Sequence, residues 1–195
     1  MSLSSWLTLP AMAATVRWVK ATVCLTEGSG VVDFYPLIAD HGLIGDLHTA
    51  ALVTTDGEID WFCSPRFDSP SVFASLLDRE HGGRFRIAPA ERGYVSKQLY
   101  FPDSAVLITR FMAPGGVGEV IDFMPVPDGG APTDNHRLVR MARVVCGQMR
   151  FVFECAPRFD YGRADHTLEV AGPEASLARL PAPIRWHLPH AGSVS

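Results

Sequence analysis

Asp56-Gly57 stands between two runs of β-prone residues, 52–55 and 58–62. An Asp-Gly pair tolerates the positive φ angles of a type I′ turn. The twist of that turn suits a tight hairpin, so the two runs are expected to pair with each other. The same grammar recurs downstream. Gly115-Gly116 divides an apolar run at 105–112, with Arg110 inside it, from a second run at 119–124. Runs at 138–145 and 149–156 flank Cys146-Gly147-Gln148. In the last of these, Met149, Phe151, Phe153 and Cys155 fall on one face, and Arg150 and Glu154 on the other with Val152 between them. Such a period of two gives one buried face and one wetter face. A shorter strand is expected at 84–87. The stretch 35–46, with two glycines and a proline, reads as a structured loop. Ser69-Pro70 reads as a helix start, with Ser69 as cap and Pro70 in the first helical position. Val72, Phe73, Leu76 and Leu77 then form one apolar face, ending near Arg79 before Gly82-Gly83. The expected fold is mainly β: an antiparallel sandwich of roughly seven or eight short strands with one or two short helices.

A length of 195 residues, 47% of them hydrophobic and 19% charged, suits one globular domain. A net charge of -4 offers no electrostatic footprint for nucleic acid or an anionic membrane. Cys24, Cys63, Cys146 and Cys155 form no Cys-x-x-Cys pair, which argues against a zinc site or a redox dithiol. A reducing, cytoplasmic compartment is expected. Texture divides the chain into a loosely structured leader at 1–34, a β-sandwich domain at 35–169, and an irregular tail at 170–195 rich in Ala, Pro and Gly. Residues 1–14 lack the basic segment of a signal peptide, and Pro10 interrupts them.

The chemistry-bearing residues are few. No nucleotide-binding glycine loop, Gly-x-Ser-x-Gly or His-Glu-x-x-His occurs. His41 and His48 with Asp40 and Asp46 are the densest imidazole–carboxylate patch, read as loop hydrogen bonding rather than a metal site. Neither a metal nor a cofactor is expected. Asp56, Glu58 and Asp60 lie together, yet Asp56 belongs to the turn. Glu58 and Asp60 share one strand face, which does not give the opposed carboxyl groups of glycoside hydrolysis. Trp61, Phe62, Phe67 and Tyr161 are candidate sugar-stacking rings, and Trp61 beside Arg66 and Asp68 would line a carbohydrate groove. Core packing is the competing role for Trp61. Pro65-Arg66-Phe67-Asp68 also recurs as Pro157-Arg158-Phe159-Asp160, each after a strand carrying a cysteine. Two readings stay open for this echo: a strand-end turn with Phe in the core, or a polar pair facing a groove.

Four stretches together resemble the N-terminal domain of bacterial trehalase/glucoamylase-like proteins of glycoside hydrolase family 15. They are Ile38-Ala-Asp-His-Gly-Leu-Ile-Gly-Asp46, Asp56-Gly-Glu-Ile-Asp-Trp61, Pro65-Arg-Phe-Asp-Ser-Pro-Ser-Val-Phe73 and Pro157-Arg-Phe-Asp-Tyr-Gly-Arg163. Thr49-Ala-Ala-Leu-Val and Asn135-His136-Arg137-Leu138-Val139-Arg140 extend the likeness over residues 35–169. The resemblance implies a β-sandwich joined to an (α/α)6 barrel that holds two catalytic glutamates of an inverting α-glucosidic hydrolase. Neither glutamate has a counterpart here, so the resemblance carries no catalytic residue onto this chain. It implies instead that Trp61, Arg66, Asp68, Arg158, Asp160 and Tyr161 face the substrate or the barrel. The implied partner is a helical-barrel catalytic domain or a separately encoded chain, with α-glucosides within reach. An independent carbohydrate-binding or regulatory sandwich and a small α-glucoside hydrolase are the alternatives. The likeness fades beyond Glu169, where the family continues with strands, so a sandwich incomplete at its C-terminus would leave an unpaired edge.

Overall fold

A computed structural model of the chain describes residues 12–18, 35–126, 136–164, 167–171, 174–179 and 182–187, with side chains in 35–126 and 136–164. Its strands are β1 (Met12–Trp18), β2 (His41–Gly45), β3 (Ala50–Thr54), β4 (Glu58–Cys63), β5 (Ser71–Phe73), β6 (Arg84–Pro89) and β7 (Val95–Tyr100). They continue as β8 (Leu107–Ala113), β9 (Gly116–Phe123), β10 (Arg137–Gly147), β11 (Phe151–Ala156), β12 (Thr167–Ala171), β13 (Glu174–Arg179) and β14 (Ala182–His187). The larger sheet runs β12-β13-β14-β1-β10-β9-β8-β7. The smaller runs β11-β6-β4-β3-β2, with β5 beside β4. β1 is parallel to β10 and β14, and the other pairings are antiparallel. No helix among the described residues is long and apolar enough to cross a membrane.

The expected hairpin is β3–β4, but its turn is not type I′. Neither Thr55 nor Asp56 has a positive φ, whereas Gly57 has φ +72° and donates its N–H to the Thr54 carbonyl at 2.9 Å. That is a three-residue loop closed by a left-handed glycine, and the pairing slips by one residue beside it. The expected helix from Ser69 is absent. Ser71–Phe73 is strand β5, all of it buried, paired to β4. Leu77 and Asp78 make a single turn by donating to the Ala74 carbonyl. The unpaired edge of β4 captures a Val-Phe step that is β-prone in any case, and tertiary pairing overrides a local cap signal. The helical element among the described residues is the 3-10 turn Ile38–Asp40. Residues 41–45 of the stretch read as a loop are β2, whose Gly42 packs closely on the facing sheet. A Cβ there would sit 2.6 Å from a Leu107 methyl of the facing sheet.

The core lies between the sheets. Phe62, Phe73, Phe85 and Phe153 form a chain of ring contacts in the smaller sheet, with centroids 5.0–6.4 Å apart. Phe111 of β8 closes on Phe151 from the larger sheet. Through this apolar layer runs one polar strut. Arg140 on β10 is fully buried and grips Asp122, its register partner on β9, through Nε at 2.8 Å and Nη2 at 3.1 Å. Its other contacts cross to the smaller sheet, at the Phe85 carbonyl (2.7 Å), the Gly57 carbonyl (2.8 Å) and the Phe85 ring. All three nitrogens of the fork donate, which offsets the cost of burying a guanidinium. The strut therefore fixes the position of the β3–β4 turn relative to the larger sheet.

Candidate functional site

The end of the smaller sheet where β2 passes to β3 and β4 to β5 carries a shallow depression of about 290 Å³ lined by Leu47, His48, Arg66, Phe67 and Asp68. Its floor is built from the β2–β3 connection. Asp46 is buried, and its Oδ1 accepts from the His48 and Thr49 backbone N–H groups at 3.1 and 2.9 Å. This side-chain turn throws Leu47 into the left-handed region at φ +75° and leaves it exposed. Asp46 Oδ2 meets buried His136 Nδ1 at 2.6 Å. Burial pushes the Asp46 carboxyl up, but the His136 bond and the two backbone donors outweigh it and hold the carboxyl below its ordinary range. The His48 ring stands edge-on to that of His136.

The rim comes from the turn after β4. Thr49 Oγ1 donates to the Cys63 carbonyl, tying the two connections together. The Ser64-Pro65 peptide is cis. Phe67 N–H donates to the His48 carbonyl at 3.2 Å, and Arg66 and Ser69 exchange hydrogen bonds at 3.1 Å. Phe67 is left 61% exposed, and Arg66 and Asp68 pair with each other at 3.0 Å in the open. The depression thus offers an apolar ring, an imidazole, a guanidinium and a single carboxylate.

The other expected residues lie around β5. Arg158 and Asp160 donate their backbone N–H groups to the Val72 and Ser71 carbonyls, on the side of β5 away from β4. Asp160, Tyr161 and Gly162 are all left-handed, at φ 53°, 56° and 77°. Tyr161 N–H donates to Ser71 Oγ at 3.0 Å, the Tyr161 ring lies 6.3 Å from Trp61, and the Arg163 guanidinium covers it. Arg66 and Asp68 therefore share the depression, Trp61 and Tyr161 share a ring contact, and the Arg158 guanidinium turns to the Pro157 carbonyl. His136 was not singled out as a functional residue from the sequence. Its pairing with Asp46, 90 positions earlier in the chain, has no local signature.

The acidic residues of β4 are structural. Glu58 accepts from Ser75 Oγ at 3.2 Å beneath the segment that follows β5. Burial pushes its carboxyl up, with the charges of Arg79 and Arg84 opposing. Asp60 Oδ2 meets His41 Nε2 at 2.7 Å, while His41 Nδ1 faces the Leu37 carbonyl at 2.9 Å. A carbonyl only accepts, so Nδ1 carries a proton, and a charged imidazole lets both nitrogens donate. Burial lowers the His41 pKa, but the Asp60 bond and charge and the backbone carbonyls raise it overall. Burial raises that of Asp60. Among the described residues, no group of three or more His, Cys, Asp or Glu is placed to hold a metal ion.

Comparison with known proteins identifies the family of the chain. The family model described as "Trehalase-like, N-terminal" matches residues 33–190. The trehalase of Mycolicibacterium smegmatis is 34% identical over 169 residues, which is 80% of this chain and 25% of that protein. The trehalase of Mycobacterium tuberculosis is 32% identical over 172 residues, again 25% of its length. Trehalase 1 of Sulfolobus acidocaldarius is 37% identical over 121 residues, 19% of its length. The chain thus spans about a quarter or less of the curated relatives it matches. No solved structure matches. With its β-fold and the 33–190 match, the chain belongs to the trehalase-like N-terminal domain family.

Proposed function

We propose that this domain is the non-catalytic accessory part of a trehalase-type glycoside hydrolase, packing against a catalytic helical barrel contributed by other residues. One observation carries the reading: the matched region corresponds to about a quarter of each of two mycobacterial proteins named trehalase. Hydrolysis of a glycosidic bond needs two carboxyl groups on opposite sides of it. Here Glu58 and Asp60 are buried side by side on one strand, Asp46 is locked to His136, and the depression has Asp68 alone among its lining. The depression then serves as a groove edge, presenting Phe67, Arg66 and Asp68 to trehalose. A cytoplasmic location belongs to the same reading. The purified chain is expected to release no glucose from trehalose. Sustained release that co-elutes with the chain would overturn the reading.

An independent carbohydrate-binding role is favoured by one feature, the exposed Phe67 ring flanked by a guanidinium and a carboxylate. Sugars stack their C–H faces on such rings while polar neighbours bond the hydroxyls. Calorimetric titration with trehalose and malto-oligosaccharides decides it: saturable heat abolished by Phe67→Ala supports binding, and no heat at millimolar sugar removes it.

A further inference from the structure

The outer face of the larger sheet, away from the core, carries a pattern that neither the fold nor the depression uses. Strand register stacks its residues into three parallel rows. Leu99, Ile108, Ile121 and Met141 lie directly opposite one another across β7, β8, β9 and β10. The next row holds Lys97, Arg110, Glu119 and Arg143. The third returns to apolar residues with Val95, Met112 and Val117. Inward-facing neighbours such as Leu107, Phe111 and Val120 fill the core, so the face is a second apolar surface on the same strands. The open part is the β7 edge, where Val95 and Leu99 are 59% and 41% exposed; Ile108 is buried, and Met112, Val117, Ile121 and Met141 are half-buried.

The charged row decides what fits there. Glu119 is buried between Arg110 and Arg143, which clamp its two oxygens at 2.6–2.8 Å. Both guanidinium groups remain about half exposed beyond it, and Lys97 is exposed opposite Arg110. Three cations against one carboxylate leave two positive charges in excess, within an apolar surface, on a chain whose net charge is -4. A second copy of the chain would set this positive row against itself, and like charges brought together in an interface cost several kcal/mol. An apolar surface carrying carboxylates would satisfy both features.

We infer that the outer face of β7–β10 is the docking surface for the catalytic remainder of a trehalase chain, engaged through an apolar patch of that partner bearing carboxylates. The inference rests on the accessory-domain reading and assigns it a face other than the depression. The test coexpresses this chain with the remainder of the M. smegmatis trehalase, that protein without its matched part, and follows the pair by sedimentation. A complex is expected that weakens as salt rises. Lys97→Glu and Leu99→Asp, both exposed edge-strand changes that spare the core, should each weaken it by about tenfold or more, whereas Lys97→Arg and Phe67→Ser should not. Thermal melts show that each variant is folded. A complex lost with Phe67→Ser but indifferent to Lys97→Glu and Leu99→Asp overturns the assignment of the face and leaves the accessory reading standing. No complex with the wild-type chain overturns the accessory reading and the face with it. A self-association of this chain abolished by Leu99→Asp overturns the choice of occupant.

Discussion

Pro65-Arg66-Phe67-Asp68 follows β4 and Pro157-Arg158-Phe159-Asp160 follows β11, yet Phe67 is 61% exposed and Phe159 only 4%. The difference lies in which backbone is available next to each copy. After β11 the chain runs along the free side of β5. Arg158 and Asp160 donate to it, and Phe159 between them joins the core cluster. After β4 the chain must reverse at once to form β5 itself. Its turn closes on Arg66 and Ser69, and Phe67 stands at the tip with only the His48 carbonyl to hold it. A tetrapeptide does not choose between core anchor and surface rim; the neighbouring ladder chooses for it. The copy refused a place in the core is the one that lines the depression.

The largest expected effect breaks this comparison if it fails. Phe159→Ala should cost about 3–5 kcal/mol, because it empties a filled core site. Phe67→Ala should stay within about 0.5 kcal/mol. Urea unfolding of both variants measures the gap, and equal costs would mean that the two copies are packed alike.

The same contrast marks where local sequence stops being informative. The β3–β4 hairpin is legible because Asp56-Gly57 and its flanking runs are contiguous. The kind of turn is not, since Gly57 is also pinned by Ile87 N–H and Arg140 bonding to its carbonyl. Ser69-Pro70 carries a sound helix-start signal, but β4 has an open edge waiting for residues 71–73. β2 hides behind Gly42 and Gly45, and β7 sets exposed Val95, Lys97 and Leu99 against part-buried but polar Ser96 and Gln98, so its residues show no hydrophobic alternation. Of the candidate site, Arg66 and Asp68 were legible as a pair because they sit two residues apart on one turn. The Asp46–His136 floor and the Arg140–Asp122 strut were not, because only strand register and sheet packing bring them together. The resemblance contained Asp46, His136 and Arg140 as letters without their contacts.

Asp46 sharpens the comparison from below, since the exposed copy depends on it and the buried copy does not. Asp46→Ala should cost about 2–3 kcal/mol, because it strands His136 and two backbone donors in a buried place. Its pH signature follows from the lowered pKa. The stabilising contribution is fully present above the ordinary value of 3.8 and is lost as pH falls through the lower folded value. Glu58 and Asp60, both shifted upward, act in the opposite sense and gain on acidification. Acid titration of the melting temperature should therefore flatten in Asp46→Asn below pH 3.8 relative to wild type. An unchanged acid limb would remove Asp46 as the support of the depression.

The smallest effects concern the aspartate that ends each copy. Both pair with an arginine, Asp68 with Arg66 in the open and part-buried Asp160 with exposed Arg163, and pairs reached by solvent in this way contribute at most about 1 kcal/mol. Backbone conformation separates them. Asp160 lies at φ 53°, in the left-handed region that Asn and Asp tolerate and Ala does not, whereas Asp68 does not lie there. Asp160→Ala should therefore cost about 1 kcal/mol or slightly more, and Asp160→Asn close to nothing. Asp68→Ala and Asp68→Asn should be indistinguishable from each other and within about 0.5 kcal/mol of wild type, because the turn around Asp68 is held by Ser69 and His48 rather than by the ion pair. Denaturation at low and high salt tests the point, since an Asp68 effect that is large and salt-sensitive would show the ion pair, not the backbone, setting the rim.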